Sequence, residues 1–406
     1  MESTESLEQD AKDTWAHSLA PNSLEDPYGP TEAVIEGCPS LFLSPASFAN
    51  LDDSRMWVAT RFEPIREIFQ NTERYSSKCV YPYFRALGID LTAIPIQLDP
   101  PEHTVYRKFL EPWFSPKAVM ALEPRIRANI DRLIDGFADK GECDAAHDFG
   151  RIYPVKVFME LMGFPEERFE DFLSWSHCMH FELDDQERYL WGARSALDYV
   201  RSYIEDVRKA PPDETVASRI VHGEIDGRKL TDDEIAGTVF FLWDGGMDTV
   251  AATSSLIFRR LALDPELQQL LRDNPERMAN AVEEFLRMNP TVNTVRVAKV
   301  DHELEGQQIR AGDRLLCLVA SGNFDPDKYE NPREFRLDRS HNRHMTFVAG
   351  PHRCLGINLA RFELRIALSE FLRRIPAFRM KPGAECVATP GLLGAPKVPI
   401  EWDLSA

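Results

Sequence analysis

No run of apolar residues in this 406-residue chain approaches the length of a membrane span, which needs about 20. The opening stretch, Met1 to Asp10, is acidic and polar, so it lacks the basic and apolar regions of a secretory signal. Both absences predict a cytoplasmic protein with no membrane contact. Basic residues are scarce: 47 Lys and Arg stand against 66 Asp and Glu, a net charge of −19. A surface of that sign excludes nucleic acid as a general partner but leaves room for a local basic patch. Cysteines are few and never paired at short range. The seven stand at 38, 79, 143, 178, 317, 354 and 386. Without a C-x-x-C spacing, structural zinc and thioredoxin chemistry are excluded and mostly buried, reduced thiols are expected. Repeats and linkers are absent as well.

What is present is globular. The chain is 43% hydrophobic and 28% charged, enough for a large core. Residues 1–30 are polar with prolines at 21, 27 and 30, which predicts an N-terminal arm; residues 31–406 are read as one domain. Alternation around Trp57 predicts a strand, followed by a helix through Ile65. From about residue 112 to 290 apolar residues recur three and four apart, predicting helices over 118–137, 153–162, 166–175, 189–208 and 232–263. Short strands are expected at 295–300 and within 309–317, with turns at Gly306 and Gly312. A last helix follows Cys354 and a final strand lies near Val398. The fold class is mostly α with a minor β region, in one large domain.

Four constellations carry chemistry. Phe347-Val-Ala-Gly350-Pro-His352-Arg-Cys354-Leu-Gly356 runs into an amphipathic helix. A cysteine between glycines at a helix start is placed to become a thiolate, because backbone N–H groups and the helix dipole lower its pKa. The glycines let backbone approach something flat and bulky; a haem held by Cys354 fits. Glu284 and Arg287 are three apart on a helix and can pair; alone they read as an ordinary ion pair. His103 and Arg107 share a face of a helix opened by Pro100-Pro101; alone they read as a solvated basic face, but haem propionates need such donors. Asp244-Gly245-Gly246-Met247-Asp248-Thr249 interrupts a long helix. Two adjacent glycines cost about 1 kcal/mol each relative to Ala. They make room for a ligand, beside an acid and a hydroxyl able to deliver protons; otherwise Thr249 bonds a carbonyl of its own helix and bends it.

The pattern Phe-x-x-Gly-x-x-x-Cys-x-Gly at 347–356 resembles the cysteine loop of the cytochrome P-450 family, and the other motifs follow in that family's order over about residues 30–402. The resemblance implies a haem-thiolate monooxygenase with haem b (iron protoporphyrin IX) on Cys354. Phe347, Gly356 and Gly245 border the haem, and His103, Arg107, Arg296 and His352 take its propionates. Asp248 and Thr249 would be the acid–alcohol pair. Glu284, Arg287 and Arg339 would lock the cysteine loop from behind. The register Gly-Gly-x-Asp-Thr-Val is similar to the camphor-hydroxylating branch, and the region from His341 onward to the cineole-oxidising one. Leu91 stands where the camphor enzymes carry a tyrosine, which speaks against camphor itself. By the same alignment Ile94, Ile96, Phe241, Val292 and Leu392 line a compact apolar pocket suited to a small terpenoid.

Asp244 departs from that branch, where the position is apolar. It shares a face with Asp248, so one carboxyl is expected to be protonated or paired with a cation. Either it bonds a polar group of the substrate or it pairs with another helix. Val348 replaces a glycine common in the cysteine loop. The remaining partners implied are O2 and a ferredoxin-type donor with its reductase, docking near Arg353, Arg361 and Lys108. A peroxide-driven peroxygenase, a fatty-acid or aromatic hydroxylase, and a haem sensor are the competing readings. The sensor has no use for a proton pair, and the peroxygenase does not need it.

Overall fold

The computed structural model describes residues 29–44, 56–79, 81, 83–182, 185–340, 342–385, 387–388 and 392–404. The expected N-terminal arm falls almost wholly outside these, as do His341 and Cys386. Strand β1 (Leu41–Leu43) pairs antiparallel with β2 (Met56–Ala59), and helix α1 (Phe62–Gln70) follows, burying Phe62, Ile65, Ile68 and Phe69 on one side. After β3 (Tyr75–Ser76) a loop leads to α2 (Glu102–Leu110), which begins directly behind Pro100-Pro101. Next come α3 (Glu123–Asp135), β4 (Glu142–Asp144) and α4 (Ile152–Met162). Helices α5 (Phe169–Phe181) and α6 (Gln186–Lys209) pack along one another. The central helix is divided into α7 (Asp232–Met247) and α8 (Thr249–Leu263). Helix α9 (Met278–Met288), β5 (Thr294–Ala298), β6 (Arg314–Cys317), α10 (Ile357–Arg374), β7 (Phe378–Met380) and β8 (Pro399–Trp402) complete the frame.

The larger sheet has the order β1-β2-β6-β5-β3, and a second sheet runs β7-β8-β4. Only β6 on β2 is parallel within the first, with Leu315 opposite Trp57. A dominant core, centred on Phe149, Tyr153, Phe258 and Phe371, fills the helical side, while smaller clusters lie under the sheet. The mostly helical, single-domain expectation holds.

Three helix expectations change. The helix expected over 118–137 is two, Pro116–Met120 and α3. Pro124 has no N–H and its ring would strike the carbonyl four residues back, so the chain restarts there. The helix expected at 166 opens as a 3₁₀ turn, Glu166–Arg168, and α5 runs on to Phe181. The long helix over 232–263 breaks at Asp248 (φ −112°, ψ −18°). Its start is firm, because Thr231 and Glu234 form a capping box with bonds of 3.2 and 2.6 Å. Its end is weakened by the glycine pair.

Candidate active site

The cysteine loop is shaped by short hydrogen bonds. Cys354 N donates to Phe347 O at 2.9 Å, and Val348 N to Met345 O at 2.8 Å. Gly350 has φ +73°, and a Cβ there would stand 2.6 Å from Phe69 O, so glycine is required. Val348 adopts φ 60°, a left-handed conformation unfavourable for a β-branched residue. Its half-buried side chain packs on the cluster under the sheet. Gly356 precedes α10, and its missing Cβ would come within 3.9 Å of Cys354 Sγ. In the chain without its cofactor the Cys354 thiol is held above its ordinary range. Burial pushes the thiol up, and the Gly356 N–H with Arg107, Arg361 and Arg353 only partly offsets it. Phe347 is half-buried, with the Arg361 guanidinium 5.1 Å above its ring.

Behind the loop, Glu284 and Arg287 are fully buried and joined at 2.7 and 2.9 Å. Arg339 Nε adds bonds of 3.1 and 3.3 Å to the same carboxylate. Burial raises the Glu284 carboxyl, but the two guanidiniums outweigh it and hold it below its ordinary range. Asn323, which the sequence reading missed, ties this group to the loop. Its Nδ2 donates to Arg287 O (3.0 Å) and Thr346 Oγ1 (2.9 Å), and its Oδ1 accepts from Met345 N (2.9 Å).

Two arginines and two histidines kept neutral by burial gather beside the cysteine loop. The His103 and His352 rings lie 4.1 Å apart, although α2 supplies one and the cysteine loop the other. Each has a buried Nε2 with no hydrogen-bond partner among the described residues. Burial and then Arg107 hold His103 down to about 4; burial, His103 and Arg296 hold His352 down to about 2. Arg296 on β5 is buried, and among the described residues its Nη1 bonds its own strand, at Thr294 Oγ1 (3.2 Å) and Val295 O (2.9 Å). Arg107 pairs with Glu111 at 3.1 Å. Buried donors left unsatisfied are costly, and a dianionic group such as the propionate edge of haem matches this set. The residues present therefore fit the cofactor.

In the central helix the glycines have different reasons. Gly245 is exposed although Asp244 and Met247 beside it are buried, and a Cβ there would meet nothing within 4 Å. It faces open space. Gly246 admits the Phe158 ring, whose atoms would lie 2.5 Å from a Cβ, and Gly237 admits the Thr92 carbonyl. Thr249 Oγ1 donates to Gly245 O at 3.1 Å across the break. Phe241, one turn before Gly245 and so on its face, packs edge-on against Tyr81 at 5.8 Å between centroids. Ile94 is buried and Ile96 half-buried in the loop before α2. Leu392 is buried, and the Leu393 N to Thr291 O bond (3.1 Å) brings its segment beside Val292, which is exposed.

The cation expected near the two aspartates is His180 of α5, invisible to the sequence reading. Its Nε2 is 3.4 Å from Asp244 Oδ1 and its Nδ1 3.3 Å from Asp248 Oδ2. Ser176 Oγ donates a short bond to Asp248 as well. Burial lowers the imidazole pKa, but both carboxylates and the Ser176 carbonyl hold it up at about 9. The carboxyls diverge. Burial, with Asp248, keeps Asp244 above its ordinary range, whereas His180, Ser176 and Arg151 overcome burial and bring Asp248 below it. Asp244 thus does pair with another helix. The Arg361 expectation also changes, since its guanidinium grips Glu283 twice at 2.6 Å. Arg353 and Lys108 are exposed.

The family model for cytochrome P450 matches residues 193–397. A probable cytochrome P450 127A1 of Sinorhizobium fredii is 37% identical over 388 residues, 95% of this chain and 92% of that protein. Cytochrome P450-terp of a Pseudomonas species is 29% identical, covering 86% and 88%. The crystal structure of cytochrome P450 CYP101C1 superposes with a TM-score of 0.82 at 30% identity, covering 94% of each chain. Among the described residues no helix is long and apolar enough to cross a membrane.

Proposed function

The chain belongs to the cytochrome P450 family of haem-thiolate monooxygenases, and within it we propose a hydroxylase of an unactivated C–H bond in a small, compact, mostly apolar molecule of the terpenoid class. Electrons would come from a ferredoxin with its reductase. The observation that supports the substrate reading is the open space beside Gly245, one turn from Phe241, whose ring packs on Tyr81. The similarity to cytochrome P450-terp supports it.

In this reading Cys354 would hold the haem iron as thiolate, and His103, Arg107, Arg296 and His352 would hold the propionates. Bound haem supplies the redox chemistry that activates O2. The chain supplies orientation and protons. Thr249 Oγ1, whose proton is held on Gly245 O, would release it into the open space beside that glycine. Asp248 Oδ2, held ionised by His180 and Ser176, accepts and returns protons from the helix interface. Phe241, Ile94, Ile96, Val292 and Leu392 shape an apolar surface that favours compact substrates over water.

The test is a spectral titration of the haem-loaded protein with monoterpenoids, fatty acids and aromatics. A low-spin to high-spin shift confined to compact terpenoids is expected. A shift with fatty acids or aromatics alone would keep the enzyme class and discard the substrate class.

A further inference from the structure

Two buried carboxylates of the central helix meet at one imidazole. His180 on α5 presents Nδ1 to Asp248 Oδ2 at 3.3 Å and Nε2 to Asp244 Oδ1 at 3.4 Å, so the ring is held at both ends. Nδ1 also lies 3.0 Å from Ser176 O and 3.2 Å from Ser176 Oγ, and that hydroxyl donates to Asp248 Oδ2. A carbonyl oxygen only accepts, so Nδ1 carries a hydrogen. With a carboxylate at the other nitrogen as well, the cationic form, in which both nitrogens donate, is the one that fits.

The surroundings supply no second cation to this pair of acids. From the short helix Tyr83–Ala86 the Tyr83 ring stands edge-on to the imidazole at 6.3 Å, and it stacks on Tyr189 of α6 at 5.5 Å. Burial keeps these two phenols, and that of Tyr81, protonated. On α5 itself His177 and Glu182 face one another at 3.6 Å. Arg151, ahead of α4, adds its charge to the field at Asp248, with its Nη2 on Leu173 O at 3.3 Å. Among the described residues no Lys or Arg forms an ion pair with either aspartate.

A lysine or arginine in this place would be a fixed charge. Histidine is the cationic side chain whose charge environment can switch near physiological pH. The imidazole is also the most exposed of the three groups, with 15% of its side-chain surface open against 8% for Asp244 and 7% for Asp248, so it is the member that exchanges protons with water. Once it is neutral, two carboxylates are left buried side by side without a counter-charge, a costly state. Asp248 then takes up a proton or is driven off the α5 interface. In either case the ionised carboxylate next to Thr249 is gone.

We propose that His180 is the positioning residue of the proton-handling pair, and that loss of its charge at alkaline pH uncouples oxygen consumption from hydroxylation. The inference rests on the reading of Asp248 as the acid given above. His180 acts through Asp248 and not on the substrate. Asp244 is its second anchor, fixing the ring from the far side.

The experiment measures product formed per NADH consumed by the haem-loaded protein with its electron donor, between about pH 7 and 10, on whichever ligand gives a spin-state shift. Wild type, His180→Gln, His180→Arg and Asp248→Asn are compared, each first checked for an intact haem-thiolate spectrum. Wild-type coupling is expected to fall about tenfold by pH 10, because an imidazole held up at about 9 keeps about a tenth of its charge there. His180→Gln should be poorly coupled at every pH. His180→Arg should recover most of what the glutamine loses and show no alkaline fall, since a guanidinium stays charged. A residue that only packs would not move the pH profile, and the arginine variant decides the matter if His180→Gln fails to fold. Wild-type coupling that is flat to pH 10, or an alkaline fall that survives in His180→Arg, would overturn the proposal. Loss of coupling in Asp248→Asn beside wild-type coupling in His180→Gln would overturn it while leaving Asp248 as the acid. Tight coupling in Asp248→Asn would remove that acid and the proposal with it.

Discussion

Thr249 and Asp248 are adjacent in sequence but meet different surroundings. The hydroxyl lies across the helix break on Gly245 O, while the carboxylate is turned into the interface with α5. A hydroxyl that only bent the helix could be removed without chemical consequence. One that passes protons could not. Thr249→Ala is therefore expected to keep substrate binding but to divert most reducing equivalents into hydrogen peroxide, measured as product formed per NADH consumed. Coupling as tight as in the wild type would favour the peroxide-driven alternative. His103 and His352 illustrate the reverse relation between sequence and surroundings. They are 249 residues apart by number, 352 − 103, yet their rings meet at 4.1 Å, each with an unsatisfied nitrogen. Such costs are accepted in a folded chain where a ligand removes them.

Helix α9 shows how a local motif gains meaning from its neighbours. An exposed Glu-x-x-Arg pair contributes little, but Glu284 is fully buried under two guanidiniums and also accepts from Asn342 Nδ2 at 3.0 Å. Glu284→Gln would leave Arg287 and Arg339 facing each other without their counter-charge, at a cost of about 3–5 kcal/mol. Urea unfolding should register that loss, together with poor haem retention. A change under about 1 kcal/mol would show the group to be incidental. Helix α5 contributes through His180. With Asp244 and Asp248 facing it from α7 and the helix break, and Ser176 and the Tyr83 ring beside it, the imidazole is held up at about 9. A folded pKa above the unfolded 6.5 means stability fully present below about pH 6.5 and lost as pH rises through about 9. Up to about 3 kcal/mol is involved at 1.4 kcal/mol per pH unit. The thermal midpoint of the wild type should fall between pH 6.5 and 9.5, and that of His180→Gln should change less. Parallel curves would rule out a charged His180.

For the molecule as a whole, a net charge of −19 opposes any acidic partner unless the docking face is locally basic. Arg361, committed to Glu283, adds little there, whereas Arg353 next to Cys354 and Lys108 are exposed. Reduction by a ferredoxin should therefore slow several-fold between about 0.05 and 0.5 M salt, since exposed charges are screened over a Debye length of about 10 Å or less. Arg353→Glu should reproduce that slowing at low salt. Stopped-flow rates that ignore both changes would place the electron donor elsewhere.

The sequence by itself determined whatever depends on near neighbours. The cysteine loop, the proline start of α2, the glycine pair and the Glu284–Arg287 spacing are local patterns, fixed by turn geometry and helical periodicity. They were enough for the family, the helical class and the cofactor. Breaks inside helices are hard to place because periodicity continues across them, and the only local signs were Pro124 and the Gly245-Gly246 pair. The tertiary structure alone decided which distant groups meet. Ser176 and Asp248 are 72 residues apart, Asn323 and Arg287 36, and Tyr81 joins Asp244 from a different loop. Such meetings depend on how whole helices pack, a property of the complete core and not of any window of sequence.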